Sequence, residues 1–358
     1  MTDLMDAAPV PPKKTRAKPH GAKRVNLALQ GGGSHGAFTW GVLDRLLEDE
    51  RLEIEGISGT SAGAMNAAAL ARGYVDGGRE GARASLDQFW TRISDFSRYS
   101  PLQRSLIDRL MGNWNLDTSP AYMMLDTIGR AFSPYQTNPL NWHPIRTVLE
   151  EEIDIKRIRR CHDINLFVSA TNVRTGKIRV FDRKDLSIDA LLASACLPTV
   201  FQAIEIDGDP YWDGGYMGNP AIFPLIYECE SPDVLIVQIN PVEREGTPQT
   251  TAEILNRLNE ITFNSSLIRE LRAIGFVQRL IKQDMLHGDH ISRLKLMHIH
   301  MIGAEEHMKE FGASSKMNAD PEFLAYLKEM GRTQASKWLE TSFDKVGKQT
   351  SIDLKAYL

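Results

Sequence analysis

Glu55-Gly56-Ile57-Ser58-Gly59-Thr60-Ser61-Ala62-Gly63-Ala64-Met65-Asn66 reads as a short strand that breaks sharply into a helix at a serine. Gly59, Ser61 and Gly63 spell G-x-S-x-G, the nucleophile-elbow pattern, with apolar residues before it and the small-residue run Ala67-Ala68-Ala69-Leu70-Ala71 after it. A serine on so tight a turn takes a strained backbone conformation, and neighbours with a Cβ would collide with adjoining backbone, so glycines belong two residues to either side. The turn lifts the hydroxyl clear of the sheet and aims the unpaired N–H groups of the helix at any anion that forms beside it. An acyl-transfer nucleophile needs that placement. The competing reading is a Gly/Ser turn in which Ser61 only caps a helix.

Upstream, Val25-Asn26-Leu27-Ala28-Leu29-Gln30 reads as a buried strand running into Gly31-Gly32-Gly33-Ser34-His35-Gly36. A glycine-rich loop between strand and helix leaves backbone N–H groups unshielded, fit to cradle a phosphate or to form an oxyanion hole. Gly31, Gly33 and Gly36 also match the G-x-G-x-x-G dinucleotide fingerprint, and Glu55 stands 19 residues beyond Gly36, close to where a ribose-binding acid belongs. A Rossmann-type enzyme is therefore an open alternative on this stretch. Trp40 to Asp49 carries apolar residues at helical spacing and returns the chain to the strand before Ser61. Two successive strand–loop–helix units imply a parallel sheet with both glycine loops on one edge.

Composition bounds the rest. A chain of 358 residues, 42% hydrophobic and 25% charged, is long enough for one large α/β domain, and a net charge of −4 gives no reason to expect a nucleic-acid partner. Cys161, Cys196 and Cys229 are odd in number and widely spaced, so neither a disulfide framework nor a metal site is indicated. No apolar run reaches the roughly 20 residues of a spanning helix. The expected setting is the cytoplasm, with peripheral contact to the inner membrane surface as a further option. Oligomeric state is not legible.

Residues 1–23 read as a Pro-rich basic tail, with Lys13, Lys14, Arg16, Lys18 and Lys23 against Asp3 and Asp6. Helical pieces are expected at Ser85–Ile93, Leu102–Met111, Pro120–Phe132 and His143–Ile153, so that 85–160 forms a mostly helical insertion or cap. Asn165–Asn172 and Lys177–Phe181 read as strands, and Ile188–Cys196 as a short helix. Residues 246–358 read as a largely helical C-terminal region, with a basic amphipathic helix over Thr251–Asp284, a strand within Leu294–Ile302 and a last helix from Pro321 to Phe343. Between these lies Tyr211-Trp212-Asp213-Gly214-Gly215-Tyr216-Met217-Gly218-Asn219-Pro220. Asp-Gly-Gly is an ordinary turn signal, but after two functional-looking loops Asp213 is a candidate general base.

The three stretches together resemble the patatin-like phospholipase family of lipid acyl hydrolases, over roughly Val25 to Pro241. Gly31–Gly36 matches the family's oxyanion loop, Gly59–Gly63 its serine elbow, and Asp213–Gly215 its Asp-Gly-Gly; His35 stands where the family usually carries lysine or arginine. The resemblance implies an α/β fold with a mainly parallel central sheet flanked by helices, a catalytic region over 24–245, and no cofactor. It also implies a Ser61–Asp213 dyad that cleaves the carboxylic esters of lipids through an acyl-enzyme, with Gly31, Gly32, Gly33 and Ser34 around the oxyanion and Gly214 and Gly215 completing the Asp motif. A lipid or acyl-ester substrate follows. Two further alternatives stay open: a Ser-His-Asp hydrolase drawing on His287, His290, His298, His300 or His307, and a catalytically silent lipid-binding protein.

Overall fold

A computed structural model describes residues 21–283 and 294–357; the basic tail up to residue 20, His287 and His290 lie outside the described residues. The strands are β1 (Lys23–Leu29), β2 (Leu52–Gly59), β3 (Asn165–Asn172), β4 (Ile178–Asp182), β5 (Ile204–Ile206), β6 (Asp209–Asp213), β7 (Asp233–Gln238) and β8 (His298–Gly303). They form one sheet in the order β5-β6-β3-β2-β1-β7-β8, with β4 also paired to β3. Pairing is parallel from β3 through β8 and antiparallel where β3 meets β4 and β6 and where β5 meets β6. The expected mainly parallel α/β sheet is what forms.

A parallel sheet is buried on both faces, and its strands read as near-continuous apolar runs. On β1, Val25, Leu27 and Leu29 enter one core and Ala28 the other; on β7, Leu235 and Val237 enter the first and Val234 and Ile236 the second. The first core lies under α1 (Gly36–Glu48) and α2 (Ala62–Ser97). There follow α3 (Leu106–Leu110), α4 (Pro120–Ala131), α5 (Pro134–Thr137), α6 (Pro144–Glu152), α7 (Ile155–Arg159), α8 (Ile188–Ser194) and α9 (Phe223–Glu228). The second core lies under α9 and α10 (Thr251–Lys282). A short α11 (Glu305–Met308) precedes α12 (Pro321–Thr341), which packs on α1 back in the first core. There Gly41 faces the Lys328 carbonyl and Gly331 the Phe38 carbonyl, at positions where any Cβ would overlap backbone.

One helix differs from expectation. Ser85–Ile93 is not a separate piece but the second half of α2, which bends at Gly77 and Gly78 and continues; Gly78 takes φ 63°, a left-handed turn open to glycine. Leu86, Phe89 and Trp90 consequently join the core, Trp90 donating to Asn66 Oδ1 at 2.9 Å and stacking on Trp40. Exposed apolar residues are concentrated later, from Tyr99 to Trp142, with Tyr99 93%, Leu110 81% and Leu140 91% accessible. No described helix is long and apolar enough to cross a membrane.

The register of β3 positions the site. Its residues 165–168 pair with β2 and 167–171 with β4, so those two strands flank it on opposite sides. Ala170 pairs with both Arg179 of β4 and Asp213 of β6, which puts β6 on the β2 side, in the space beyond the point where β2 ends. Gly59 closes β2 opposite Val168. Asp213 therefore stands two β3 residues further on, about 7 Å along the sheet, where the chain turns at Ser61.

Candidate active site

Ser61 lies between β2 and α2 with φ 54° and ψ −123°, a conformation that costs a non-glycine residue of order 1–3 kcal/mol and persists because its surroundings hold it. Those surroundings are visible. The Ser61 N–H donates to the buried Ser194 Oγ at 2.9 Å, from the end of α8. Thr60 Oγ1 donates to the Gly218 carbonyl at 2.6 Å and Ser58 Oγ to the Ala221 carbonyl. A Cβ at Gly59 would stand 2.6 Å from the Gly63 backbone, and one at Gly63 would overlap the Leu29 carbonyl. The glycines of G-x-S-x-G are thus required by close backbone approach, as the pattern implies.

The glycine loop begins beside this turn. At Gly31 a Cβ would lie 2.6 Å from Ser61 Cβ. The Gly31 N–H donates to Asn219 Oδ1 at 2.7 Å, and the Gly31 carbonyl accepts from Asn240 Nδ2 at 2.9 Å. Gly31 is thereby fixed at both ends, and its N–H is taken by the protein rather than offered outward. No acceptor among the described residues takes the N–H of Gly32, Gly33 or Ser34, while His35 N–H closes a turn onto the Gly32 carbonyl. Gly33 takes φ 58° against the Lys316 carbonyl. Gln30 braces the loop from beneath, accepting the N–H groups of Ile239 and Asn240 and donating to the Asn219 carbonyl and Asn264 Oδ1.

Asp213 ends β6 and is 1% exposed. Its N–H donates to the Cys196 carbonyl, its carbonyl accepts from Thr171 Oγ1, and Oδ1 accepts the Gly215 N–H at 2.7 Å. Burial pushes the carboxyl up to about 7, against smaller downward pulls from the Gly215 N–H, side-chain hydrogen bonding with Ser61 and the charge of Lys316. The same burial raises the neighbouring Cys196 and Tyr216 to about 12, so neither is a competing base near neutrality. Gly214 backs onto the Ser169 carbonyl and Gly215 onto the Phe263 ring, leaving no room for a Cβ at either.

Other residues singled out in the sequence are engaged elsewhere. Glu55 accepts the N–H groups of Glu230 and Ser231 at 2.7 and 2.8 Å, beside the start of β7, so it caps a loop rather than waiting for a ribose. His298 and His300 do share a face, and both turn to Asp233 at the first residue of β7, at 3.4 and 2.9 Å; His300 also bonds Ser351 Oγ at 3.0 Å. Strands β2 and β7 run in parallel with β1, so Asp233 is at the opposite sheet end from Ser61. His307 is exposed on α11. His35 is buried against Phe311 and Phe323, bonds Ser315 Oγ at 2.8 Å, and is held neutral by burial and by Lys316 and Arg244, with its pKa lowered to about 3.

The family model described as patatin-like phospholipase matches residues 27–226. The chain belongs to the patatin-like phospholipase family. The match spans both glycine loops and the Asp-Gly-Gly turn, and it makes this patatin-like phospholipase an enzyme of the lipid acyl hydrolase class. Among solved structures, VipD from Legionella pneumophila is similar at 16% identity over 90% of this chain and 67% of its own, with TM-score 0.42. The type III effector ExoU is similar at 17% identity over 89% of this chain and 53% of its own, with TM-score 0.31. The same effector in complex with SpcU, from Pseudomonas aeruginosa, aligns with TM-score 0.30 and 17% identity, over 90% of this chain and 53% of that one. This chain thus spans about half the length of ExoU, and membership rests on the sequence match alone. Comparison with curated proteins returned no match.

Several residues of the site carry no motif. Asn219 stood inside the Asp-Gly-Gly stretch as part of a turn; Gln30, Ser194, Asn240, Asn264 and Lys316 had no local signal at all, because each acts through a contact made across the fold.

Proposed function

We propose that this phospholipase cleaves lipid carboxylic esters through Ser61 as nucleophile and Asp213 as its general base. The observation that carries the reading is the buried carboxyl of Asp213, raised to about 7 by burial and pulled back down in part by the side chain of Ser61, a serine on a strained strand–helix turn. A carboxylate at its ordinary value of roughly 4 is a weak base for a serine hydroxyl, and one near 7 is far better matched at neutral pH. Ser61 Oγ attacks the ester carbonyl carbon while its proton passes to an Asp213 oxygen. The oxyanion is held by N–H groups of Gly32, Gly33 and Ser34, the Gly31 N–H having a structural task on Asn219. Collapse of the tetrahedral intermediate expels the alcohol, which leaves with the proton from Asp213 and gives an acyl-serine. Water, deprotonated by Asp213, then releases the fatty acid and restores Ser61.

The substrate reaches the site at a membrane surface. The segment from Tyr99 to Trp142 stands on the loop that frames Ser61 and Asp213: Asn138 accepts from Gln202 Nε2 at 2.7 Å, His143 stacks on Phe201 with ring centroids 4.0 Å apart, and the loop's Cys196 holds Asp213. Its Leu106, Ile107, Leu110, Met111, Met123 and Met124 are exposed. On the other side Leu258 and Ile261 are exposed on α10 within about two turns of Phe263, which touches Gly215. Apolar surface of this extent marks an interaction site.

The deciding experiment is labelling by an active-site fluorophosphonate together with hydrolysis of a medium-chain p-nitrophenyl ester, on wild type, Ser61→Ala and Asp213→Asn. Labelling and turnover in wild type and in neither folded variant is the expected result. A folded Ser61→Ala enzyme that still labels overturns the assignment.

A further inference from the structure

The charge at this site comes from far along the chain. The glycine loop carries none of its own, because its single titratable residue, His35, is neutral. What packs on the loop is the 3-10 turn Ala313–Met317, through Ser315 Oγ on His35 and through the Lys316 carbonyl at Gly33. From there the Lys316 side chain reaches the site and donates from Nζ to Asn240 Oδ1 at 2.8 Å. Asn240 in turn donates from Nδ2 to the Gly31 carbonyl at 2.9 Å. In a trans peptide the C=O and the next N–H point in opposite directions, so fixing the Gly31 carbonyl toward Asn240 turns the Gly32 N–H to the other side of the loop.

The groups facing Lys316 are few. Asp213 approaches from β6, Glu260 from α10, Arg244 from the segment after β7, and the Phe263 ring centroid lies 5.7 Å from Nζ. Glu260 is already bound by two guanidinium groups, Arg244 at 2.6 Å and Arg257 at 3.1 Å. Among the described residues no carboxylate forms an ion pair with Lys316, whose one hydrogen-bond partner is a neutral amide. An ammonium that faces carboxylates without an ion pair to either, and bonds only a neutral amide, is a poor structural device. It is an effective electrostatic one, because charge acts strongly where water is largely excluded.

We propose that Lys316 is a positioning residue of the hydrolytic site: its ammonium orients the Gly31–Gly32 peptide through Asn240 and supplies the positive charge that favours the Asp213 carboxylate before attack and the oxyanion after it. The proposal rests on the Ser61–Asp213 reading. Loss of hydration lowers Lys316 to about 8, an effect that Glu260 and Asp213 oppose and Arg244 reinforces. With Asp213 near 7, the site holds the working pair, carboxylate and ammonium, in a narrow interval between the two values.

The test measures fluorophosphonate labelling rates and kcat/KM for an uncharged p-nitrophenyl ester from about pH 5.5 to 9.5, in wild type, Lys316→Met and Lys316→Arg, with thermal melts to establish folding. Wild type is expected to rise through about pH 7 and fall through about pH 8. Lys316→Met is expected to lose about tenfold or more in rate near neutrality with KM little changed, to lose its alkaline fall, and to move its acid limb upward because Asp213 no longer has the cation beside it. Lys316→Arg, charged throughout, is expected to keep most of the rate and to hold a plateau at alkaline pH. A folded Lys316→Met enzyme with the wild-type rate, or one uniformly slower with both limbs in place, overturns the proposal. If Lys316→Met does not fold, the arginine variant decides alone: an alkaline fall that persists in it overturns the idea. Wild type that neither labels nor turns over is a separate outcome, since it removes the Ser61–Asp213 reading beneath.

Discussion

Protonating Asp213 provides the sharpest quantitative check on how the site works. Burial raises its pKa because the charged form loses more hydration than the neutral one, so the raised value means a proton held down to lower acidity, and a base silenced as pH falls through about 7. For a single group near 7 the deprotonated fraction is roughly nine-tenths at pH 8, one-tenth at pH 6 and one-hundredth at pH 5. With the fall through about pH 8 set by Lys316 included, the wild-type labelling rate of Ser61 should drop about fivefold between pH 8 and 6 and about fiftyfold between pH 8 and 5. A carboxylate at the ordinary value of roughly 4 would lose only about a tenth over the whole range. Stopped-time fluorophosphonate labelling is the assay of choice, because it reads acylation without product release. A rate flat from pH 5 to 8 would refute the reasoning, as would residual Asp213→Asn activity with the same acid limb. Stability has the opposite sign. A carboxyl whose folded pKa is raised contributes stability that is present below the unfolded value and lost as pH rises through the folded one, so Asp213→Asn should melt higher than wild type at pH 8 and close to it at pH 4.

Gly31→Ala should abolish labelling and lower stability by about 1–3 kcal/mol or more, because its Cβ would stand 2.6 Å from Ser61 Cβ in a fully braced turn; a melt and a labelling gel report both. His300→Ala should cost about 1–3 kcal/mol in urea unfolding by stripping a buried partner from Asp233, while labelling of Ser61 by the folded fraction stays at the wild-type rate. A comparable loss of labelling would instead revive a histidine base. The pair Leu110→Glu and Met111→Glu should leave p-nitrophenyl ester hydrolysis unchanged and reduce hydrolysis of phospholipid vesicles roughly tenfold, since each places charge on exposed apolar surface at the cost of an interfacial contact. Equal rates on vesicles would sink the membrane-facing role of that segment.

What could be read from the sequence follows how locally each feature is determined. The turn at Ser61 was legible because the chemistry of an elbow is written in five consecutive residues: Gly59 and Gly63 are glycines for contacts with each other's neighbourhood and with Leu29. That β1 is a buried strand was visible for the same reason. The continuity of α2 was not legible, since the sequence reads as a separate helix from Ser85, whereas the chain only bends at Gly77 and Gly78. The brace around Gly31 was out of reach. Asn219 and Asn240 are polar residues in turns like many others, and only the pairing of β1 with β7 and, through β2 and β3, with β6 brings them to opposite ends of one glycine. Lys316 is a further case, a single lysine in a short turn whose meaning depends on Gly33 having no side chain to push it away. Asp213 was named from its motif, yet its raised pKa comes from tertiary burial that no window of sequence contains.

The central position of β1 bears on how the protein is made. Its one neighbour, β2, is synthesised almost at once, but its other edge pairs with Asn26↔Val234 through Leu29↔Val237, and β7 is encoded roughly two hundred residues later. At ribosomal speeds of about 5–20 residues per second, the apolar edge Val25–Leu29 waits ten seconds or longer without its partner. During that interval the nascent chain exposes the kind of strand that recruits other chains, and it holds neither the Asn240 brace nor a completed oxyanion loop. A half-made copy therefore exposes an unpaired apolar strand edge for the whole time that the contacts fixing Gly31 are missing.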